Sequence, residues 1–412
     1  MGASIAKISA ATASVSTSTV TAKPNDSLIP IVDEIRSLAA DDFNEDPVAH
    51  AKLLSKIHAL QLASETPLET IYRIGHQSWQ NAAIKVALDL GILDVLVARE
   101  PRPVGADELA SKHNADVVLV ALGLCAEIGV GMYVANSKTT IMTVPQGITS
   151  FQFWVDMAMP AAAQLPDYLR ANSYRNPHDN KTTAFARAFG SEFWTWLKQN
   201  PRYSTTFNGF MASRREGRPS WFDIYPVEQE LSGPEKEKTV TLVEIGGNQG
   251  HDLVNLKAKH PNLQGRMVLQ DLPDVVAKVK FNDTNIAAMG HNFFDPQPIK
   301  HAHAYHFRAI FHDWADADCV RILTRTARAM QPGFSKLLIS EFVLADADAD
   351  ETAAQLFPAS LDLQMMGLHA GMERSESQWR GLLGQAGLEV VRVWRRAAVV
   401  VDGECVVEAR LR

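Results

Sequence analysis

The alternation of apolar and polar positions divides the chain into a helical first half and an α/β second half. In residues 27–65, Ile29, Ile31, Ile35 and Leu38 recur near helical spacing, which predicts one or two helices. Pro67 restarts the chain, and a longer helical run follows from Leu68 to Leu96, broken at Gly91. Pro101-Arg102-Pro103 is a turn. Two short helices are expected at Ala106–His113 and Asp116–Ile128. A hairpin is expected across Gly129–Val144, with strands at Met132–Val134 and Thr139–Val144. Helices followed by such a wing make a winged helix. Residues 147–235 read as helical and are rich in aromatic residues and methionine.

From Thr239 the period changes. A β-branched run ends in Glu244; three glycines, Gly246, Gly247 and Gly250, follow; a helix-length gap leads to a second apolar run ending in Asp271. Strand, glycine turn, helix and strand open an α/β sheet. Further strands are expected at Ile286–Met289, His303–Phe311 and Lys336–Leu344, with helices at Ala315–Met330, Glu351–Leu368 and Ser375–Gln385. Val390–Trp394, Ala397–Val401 and Cys405–Leu411 are strand-like, and Asp402-Gly403 marks a turn, so the sheet ends in an antiparallel hairpin. The expected domains are a disordered tail (1–26), a helical and winged-helix module (27–150), a helical linker that contributes to a substrate pocket (151–235) and a catalytic domain (236–412).

Composition narrows the function. The 412 residues are 46% hydrophobic with a net charge of −7, so there is no general attraction to nucleic acid or an anionic membrane. Lys112 and Lys138 are the only basic residues between Gly105 and Val144, against Asp107, Glu108, Asp116 and Glu127, which argues for packing rather than DNA binding. Three cysteines, far apart, form neither a disulfide framework nor a metal cluster, and a reducing cytoplasm is expected. No apolar run reaches the roughly 18 residues of a membrane span. The tail, rich in Ser, Thr and Ala, lacks the arginine of a transit peptide, and Ala6 stands where a myristoylation signal needs Ser or Thr.

The glycine turn does not have dinucleotide spacing, because Asn248 and His251 occupy positions that G-x-G-x-x-G requires as glycine. Glycines with a ribose-binding acid but no pyrophosphate fingerprint suit an adenosine without phosphates, and S-adenosylmethionine is the common one. His312, in Phe-His-Asp-Trp, closes the fourth strand; Glu341 lies in the fifth; Glu373 precedes the helix from Ser375. A histidine among carboxylates at strand ends is a general-base candidate. Among the aromatic and methionine residues, Trp154, Met157, Phe207 and Met211 are candidates to line a pocket for a flat organic acceptor.

Taken together, Glu244-Ile-Gly-Gly, Gln270-Asp-Leu-Pro, Arg308, His312-Asp-Trp, Glu341 and Gly371-Met-Glu-Arg resemble the S-adenosylmethionine-dependent O-methyltransferases of fungal secondary metabolism, relatives of the plant caffeic acid type. The spacings of 29 and 32 residues between His312, Glu341 and Glu373 are close to the family's, and the likeness runs over most of the chain from about residue 66 onward. The resemblance implies a Rossmann-like class I methyltransferase sheet beside a winged-helix dimerisation domain. It places Glu244, Gly246, Gly247, Asp271, Leu272, Asn292, Phe293 and Arg308 at the cofactor, with Asp271 on the ribose hydroxyls. It makes His312 the base held by Glu341 and Glu373, and puts Met365 and His369 at the acceptor. It also implies a homodimer. Methyl transfer from a sulfonium needs no metal, and no set of ligands at metal spacing stands out in the sequence, so no metal is expected. Two positions depart from the pattern: Asn248 replaces a third glycine and Asn292 an adenine-side aspartate. Relatives of this fold catalyse dehydration or pericyclic cyclisation of polyketide products instead; retention of His312 favours methyl transfer.

Overall fold

The computed structural model describes residues 25–40, 47–113, 123–214, 220–232, 240–277, 279–344, 346, 356–395 and 404–412. These fall into two units, residues 1–78 with 166–176, and residues 79–165 with 177–412. None of the helices among the described residues is long and apolar enough to cross a membrane.

The first unit is helical. Asn25–Ala40 and Pro47–Ser64 pack on each other, and the helix Pro67–Asp89 contributes its residues up to Ser78 to this unit. Thr66 starts the third helix with a reciprocal cap: its N–H donates to Glu69 at 2.8 Å, and the Glu69 N–H donates to its hydroxyl at 3.3 Å.

In the second unit, strands β1 (Val104–Gly105), β2 (Cys125–Gly129) and β3 (Met132–Ala135) form a small sheet ordered β1-β3-β2. This corrects two expectations. Residues 125–128 are strand rather than helix, and the hairpin is β2–β3, turning at Val130-Gly131, rather than 132–144. Ser137–Ile141 is helical because Asn136 caps it, its side chain accepting the N–H groups of Lys138 (2.9 Å) and Thr139 (3.1 Å). The expected helical residues 116–122 lie outside the described residues. Ala106–His113 is helical as expected.

Helices Ala184–Phe189, Phe193–Gln199 and Pro201–Ser213 enclose an aromatic core in which Phe153 stacks on Phe210 at 4.1 Å. The large sheet comprises β4 (Val240–Ile245), β5 (Arg266–Asp271), β6 (Ile286–Gly290), β7 (Ala304–Arg308), β8 (Lys336–Leu344), the two-residue β9 (Arg374–Ser375), β10 (Leu388–Trp394) and β11 (Glu404–Leu411). Its order is β10-β11-β8-β7-β4-β5-β6, with β9 joined to β8. Strands β4 to β8 run parallel; β11 pairs antiparallel with β8 and β10. The sheet ends in an antiparallel pair, as expected, but the partners differ: β11 pairs with β10 on one side and β8 on the other, not with 397–401, which together with Asp402-Gly403 lies outside the described residues.

Period-2 alternation feeds two cores. Val243, Ile245, Tyr305, Phe307, Leu337 and Ile339 pack in one cluster, and Leu242, Ala304, Leu338 and Val406 in the other. Strand order reverses at β4, between β5 and β7, so the ligand crevice opens at the carboxyl ends of these strands.

Candidate active site

The fourth strand ends earlier than its apolar pattern predicts. β7 stops at Arg308, Ala309 turns through a left-handed φ of 52°, and Phe311–Asp313 form a 3-10 turn that carries His312. Glu341, on β8, organises this turn: its Oε1 accepts the N–H groups of Ile310 (2.9 Å), Phe311 (2.8 Å) and His312 (3.4 Å). Its Oε2 lies 3.5 Å from His312 Nδ1. Glu373 makes the short contact, Oε1 to Nδ1 at 2.7 Å, and its own N–H is held by Asp362 at 2.8 Å. Gly371 passes so close that a Cβ there would lie 1.8 Å from the His312 carbonyl oxygen. Side-chain nitrogen and oxygen atoms of His312, Glu341 and Glu373 all fall within 4.8 Å of one another, so the three residues nominated from the sequence meet in one buried cluster.

Burial alone drives the His312 pKa down, but Glu341, Glu373 and Asp313 outweigh it and lift it to about 10. Burial pushes Glu341 up, against the pull of His312. On the other edge of the imidazole, Asp313 Oδ1 lies 3.6 Å from His312 Nε2 and 3.7 Å from His369 Nε2. Burial lowers the His369 pKa, so this second ring stays neutral, stacked on Trp194 at 5.4 Å.

The glycine turn lies at the end of β4. Gly246, at φ +74°, packs on Ile310, where a Cβ would come within 2.5 Å of the side chain; a Cβ on Gly247 would come within 2.5 Å of the Glu244 carboxylate. The turn is thus seated directly against the segment that carries the base. Asn248 adopts φ 55°, a left-handed conformation that asparagine tolerates, so the missing third glycine leaves the turn intact. Asp271 accepts the N–H groups of Asn248 (2.8 Å) and Leu272 (2.7 Å), which occupies two of roughly four lone-pair sites and leaves the others for a diol. Leu272 is exposed and Phe293 half-buried, two apolar faces suited to a flat base. The Asn292 amide oxygen accepts the Phe294 N–H at 3.1 Å. Glu244, Gly246, Gly247, Asp271, Leu272, Asn292 and Phe293 therefore gather at the ends of β4, β5 and β6 and fit an adenosine cofactor. Arg308 differs: its guanidinium is consumed by Glu404 (2.7 and 2.9 Å) and Asp252 (3.1 and 3.0 Å).

The expected acceptor residues separate by position. Met211 lines a cleft with Arg308, His312, Glu341, Phe342 and Glu404. Met365 packs with Phe342 and Leu361 behind it. Phe207 contacts Phe193 and Trp194, the aromatic group that holds His369. Met157 is wholly buried in the aromatic core, and Trp154, half open to solvent, packs on Phe153 and Phe210. The sequence assigns no role to Asp252, Asp362, Gly371, Arg374 or Glu404, because their partners lie far away along the chain. The Gly-Met-Glu-Arg motif is the one local signal, and it contains Gly371 and Arg374.

A family profile described as an O-methyltransferase domain matches residues 168–389. The methyltransferase cfoC of Aspergillus candidus is 37% identical over 324 residues, covering 76% of this chain and 79% of that one. A demethylsterigmatocystin 6-O-methyltransferase of Aspergillus parasiticus is 33% identical over 357 residues, covering 84% and 90%. Among solved structures, LepI in complex with SAM superposes with a TM-score of 0.81 at 27% identity, covering 94% of this chain and 99% of that one. One described as a pericyclic reaction enzyme gives 0.80 at 27%, covering 94% and 100%.

Proposed function

The chain belongs to the O-methyltransferase family, whose cofactor is S-adenosylmethionine, and on that premise we propose that it methylates a hydroxyl of a phenolic or polyketide-derived secondary metabolite with His312 as general base. The observation that carries this reading is the buried 2.7 Å contact between His312 Nδ1 and Glu373. A carboxylate partner requires the proton on Nδ1 and so leaves Nε2 to take the acceptor proton. The cofactor supplies an electrophilic methyl on a sulfonium that leaves without acid assistance. Gly246, Gly247, Asp271 and Leu272 would hold it. His312 removes the hydroxyl proton, Glu373 fixes the tautomer, and Glu341 fixes the turn. The neighbouring carboxylates raise the His312 pKa, so once the ring has shed its own proton it is a stronger base than a free imidazole and better suited to a phenol. His312→Ala is expected to lower methyl transfer, followed with labelled cofactor, by roughly 10²–10⁴-fold; activity within tenfold of wild type sinks the general-base role.

A second reading keeps the fold and replaces the chemistry. With its pKa raised to about 10, His312 is a cation at neutral pH and can donate a proton, as dehydration or a pericyclic cyclisation would use it. The likeness to a pericyclic reaction enzyme favours this alternative as well. Mass analysis decides between them: a methylated product supports the first reading, and an isomer or dehydrated product of unmethylated mass supports the second.

The assembly is part of the proposal. The first unit leaves Leu68, Ile71 and Tyr72 exposed at helical spacing, and Ile29, Leu54 and Ile57 exposed on the two helices before them, which is the composition of a homodimer interface.

A further inference from the structure

We infer that Arg374 is the positioning residue of the base, an inference that rests on the reading of His312 above. Arg374 is 1% exposed. It follows Glu373 directly, yet its side chain reaches back to the segment that carries His312. Nη1 donates to the Phe311 carbonyl at 3.0 Å and Nη2 to the Trp314 carbonyl at 3.0 Å, the carbonyls that bracket His312 and Asp313. Nε and Nη2 also bind Asp316 Oδ1, at 3.1 and 2.7 Å, in the first turn of the helix Asp316–Ala327. The Cys319 sulfur lies 3.4 and 3.3 Å from the same two carbonyl oxygens, with one S–H to share between them.

The turn is therefore gripped by opposite charges. Glu341 takes its N–H groups from one side and Arg374 fills its carbonyls from the other. A guanidinium suits this task because its planar fork serves two carbonyls and a carboxylate at once, which a lysine ammonium cannot reproduce. Because Glu373 and Arg374 are neighbours, one backbone segment supplies both the hydrogen-bond partner of the imidazole and the anchor of the turn that bears it. The distance from Nδ1 to Glu373 is then set by Arg374: slack in the anchor becomes slack in that bond. Misplacement by about 1 Å can cost on the order of 100-fold in rate.

The test uses the full chain with S-adenosylmethionine bound. The Nδ1–H of His312, in a short bond to a carboxylate, gives a far-downfield proton signal, assigned by its loss in His312→Ala. In Arg374→Lys that signal is expected to shift or broaden, with exchange of the proton with water faster by about tenfold or more. Cofactor affinity by calorimetry should stay within about threefold, because Arg374 makes no contact in the glycine turn. An unchanged signal and exchange rate in Arg374→Lys overturns the inference. A wild-type enzyme without the signal overturns the His312–Glu373 pairing itself, a separate failure. If Arg374→Lys no longer binds the cofactor, Asp316→Asn decides: a faster-exchanging signal supports the role, and wild-type behaviour overturns it.

Discussion

At the residue scale, two glutamates that look equivalent in the sequence do different work. Both face His312, but Glu341 spends Oε1 on three backbone N–H groups, whereas Glu373 spends Oε1 on the imidazole. The residue types and their places at strand ends are enough to nominate all three. The division of labour is not legible, because it depends on which oxygen meets a turn whose shape no local pattern encodes. The difference has a pH consequence. Carboxylates raise the His312 pKa, so free enzyme and a phenol must together shed a proton before reaction, and kcat/KM is expected to rise from about pH 7 towards 9. Glu373→Gln removes one negative neighbour, lets the His312 pKa fall and moves the plateau to lower pH with a smaller maximum. A wild-type profile already flat above pH 7 contradicts this.

At the element scale, the site depends on backbones that come unusually close. Gly371 lies against the His312 carbonyl, and any side chain there must push the catalytic turn or the segment carrying Glu373. Gly371→Ala is expected to reduce turnover by about 100-fold or more, while calorimetry still detects the cofactor, since the glycine turn is untouched. Gly381, inside the helix Glu376–Gln385, is the opposite case: a methyl added there meets nothing within 4 Å. Gly381→Ala should therefore raise stability by about 0.5–1 kcal/mol, read as a higher Tm. A fall in Tm refutes that reading of the helix. The large sheet is legible because its strands alternate in register with two cores. The small sheet is not. Thr139, Thr140, Ile141 and Val144 look like a β-branched strand, but the Asn136 cap makes Ser137–Ile141 helical and leaves Cys125–Gly129 to pair with Met132–Ala135. A cap of this kind outweighs the weak preference of a five-residue run.

At the scale of the whole molecule, distant segments meet at the cleft: Met211 from the helical region, Arg308 and His312 from the end of β7, Phe342 from β8 and Glu404 from β11. Such a wall has no signature in any one stretch, which is why this cleft is the least legible part of the chain. The exposed apolar surface of the first unit carries the last prediction. Leu68, Ile71, Tyr72 and Ile74 are each more than half exposed, and Pro67–Asp89 fully buries none of its side chains. Single exposed apolar residues are ordinary, but positions 68, 71 and 72 share one face of a helix, and a face of that kind in water is stabilised by a partner. A second copy of the chain is the economical partner, and an obligate interface of this sort should bury more than about 2,000 Å² and survive dilution. Light scattering at sub-micromolar concentration should therefore give twice 45.3 kDa. Ile71→Glu, which places a charge in the centre of that face, should shift the mass towards the monomer. A wild-type mass of 45.3 kDa under these conditions removes the homodimer from the proposal.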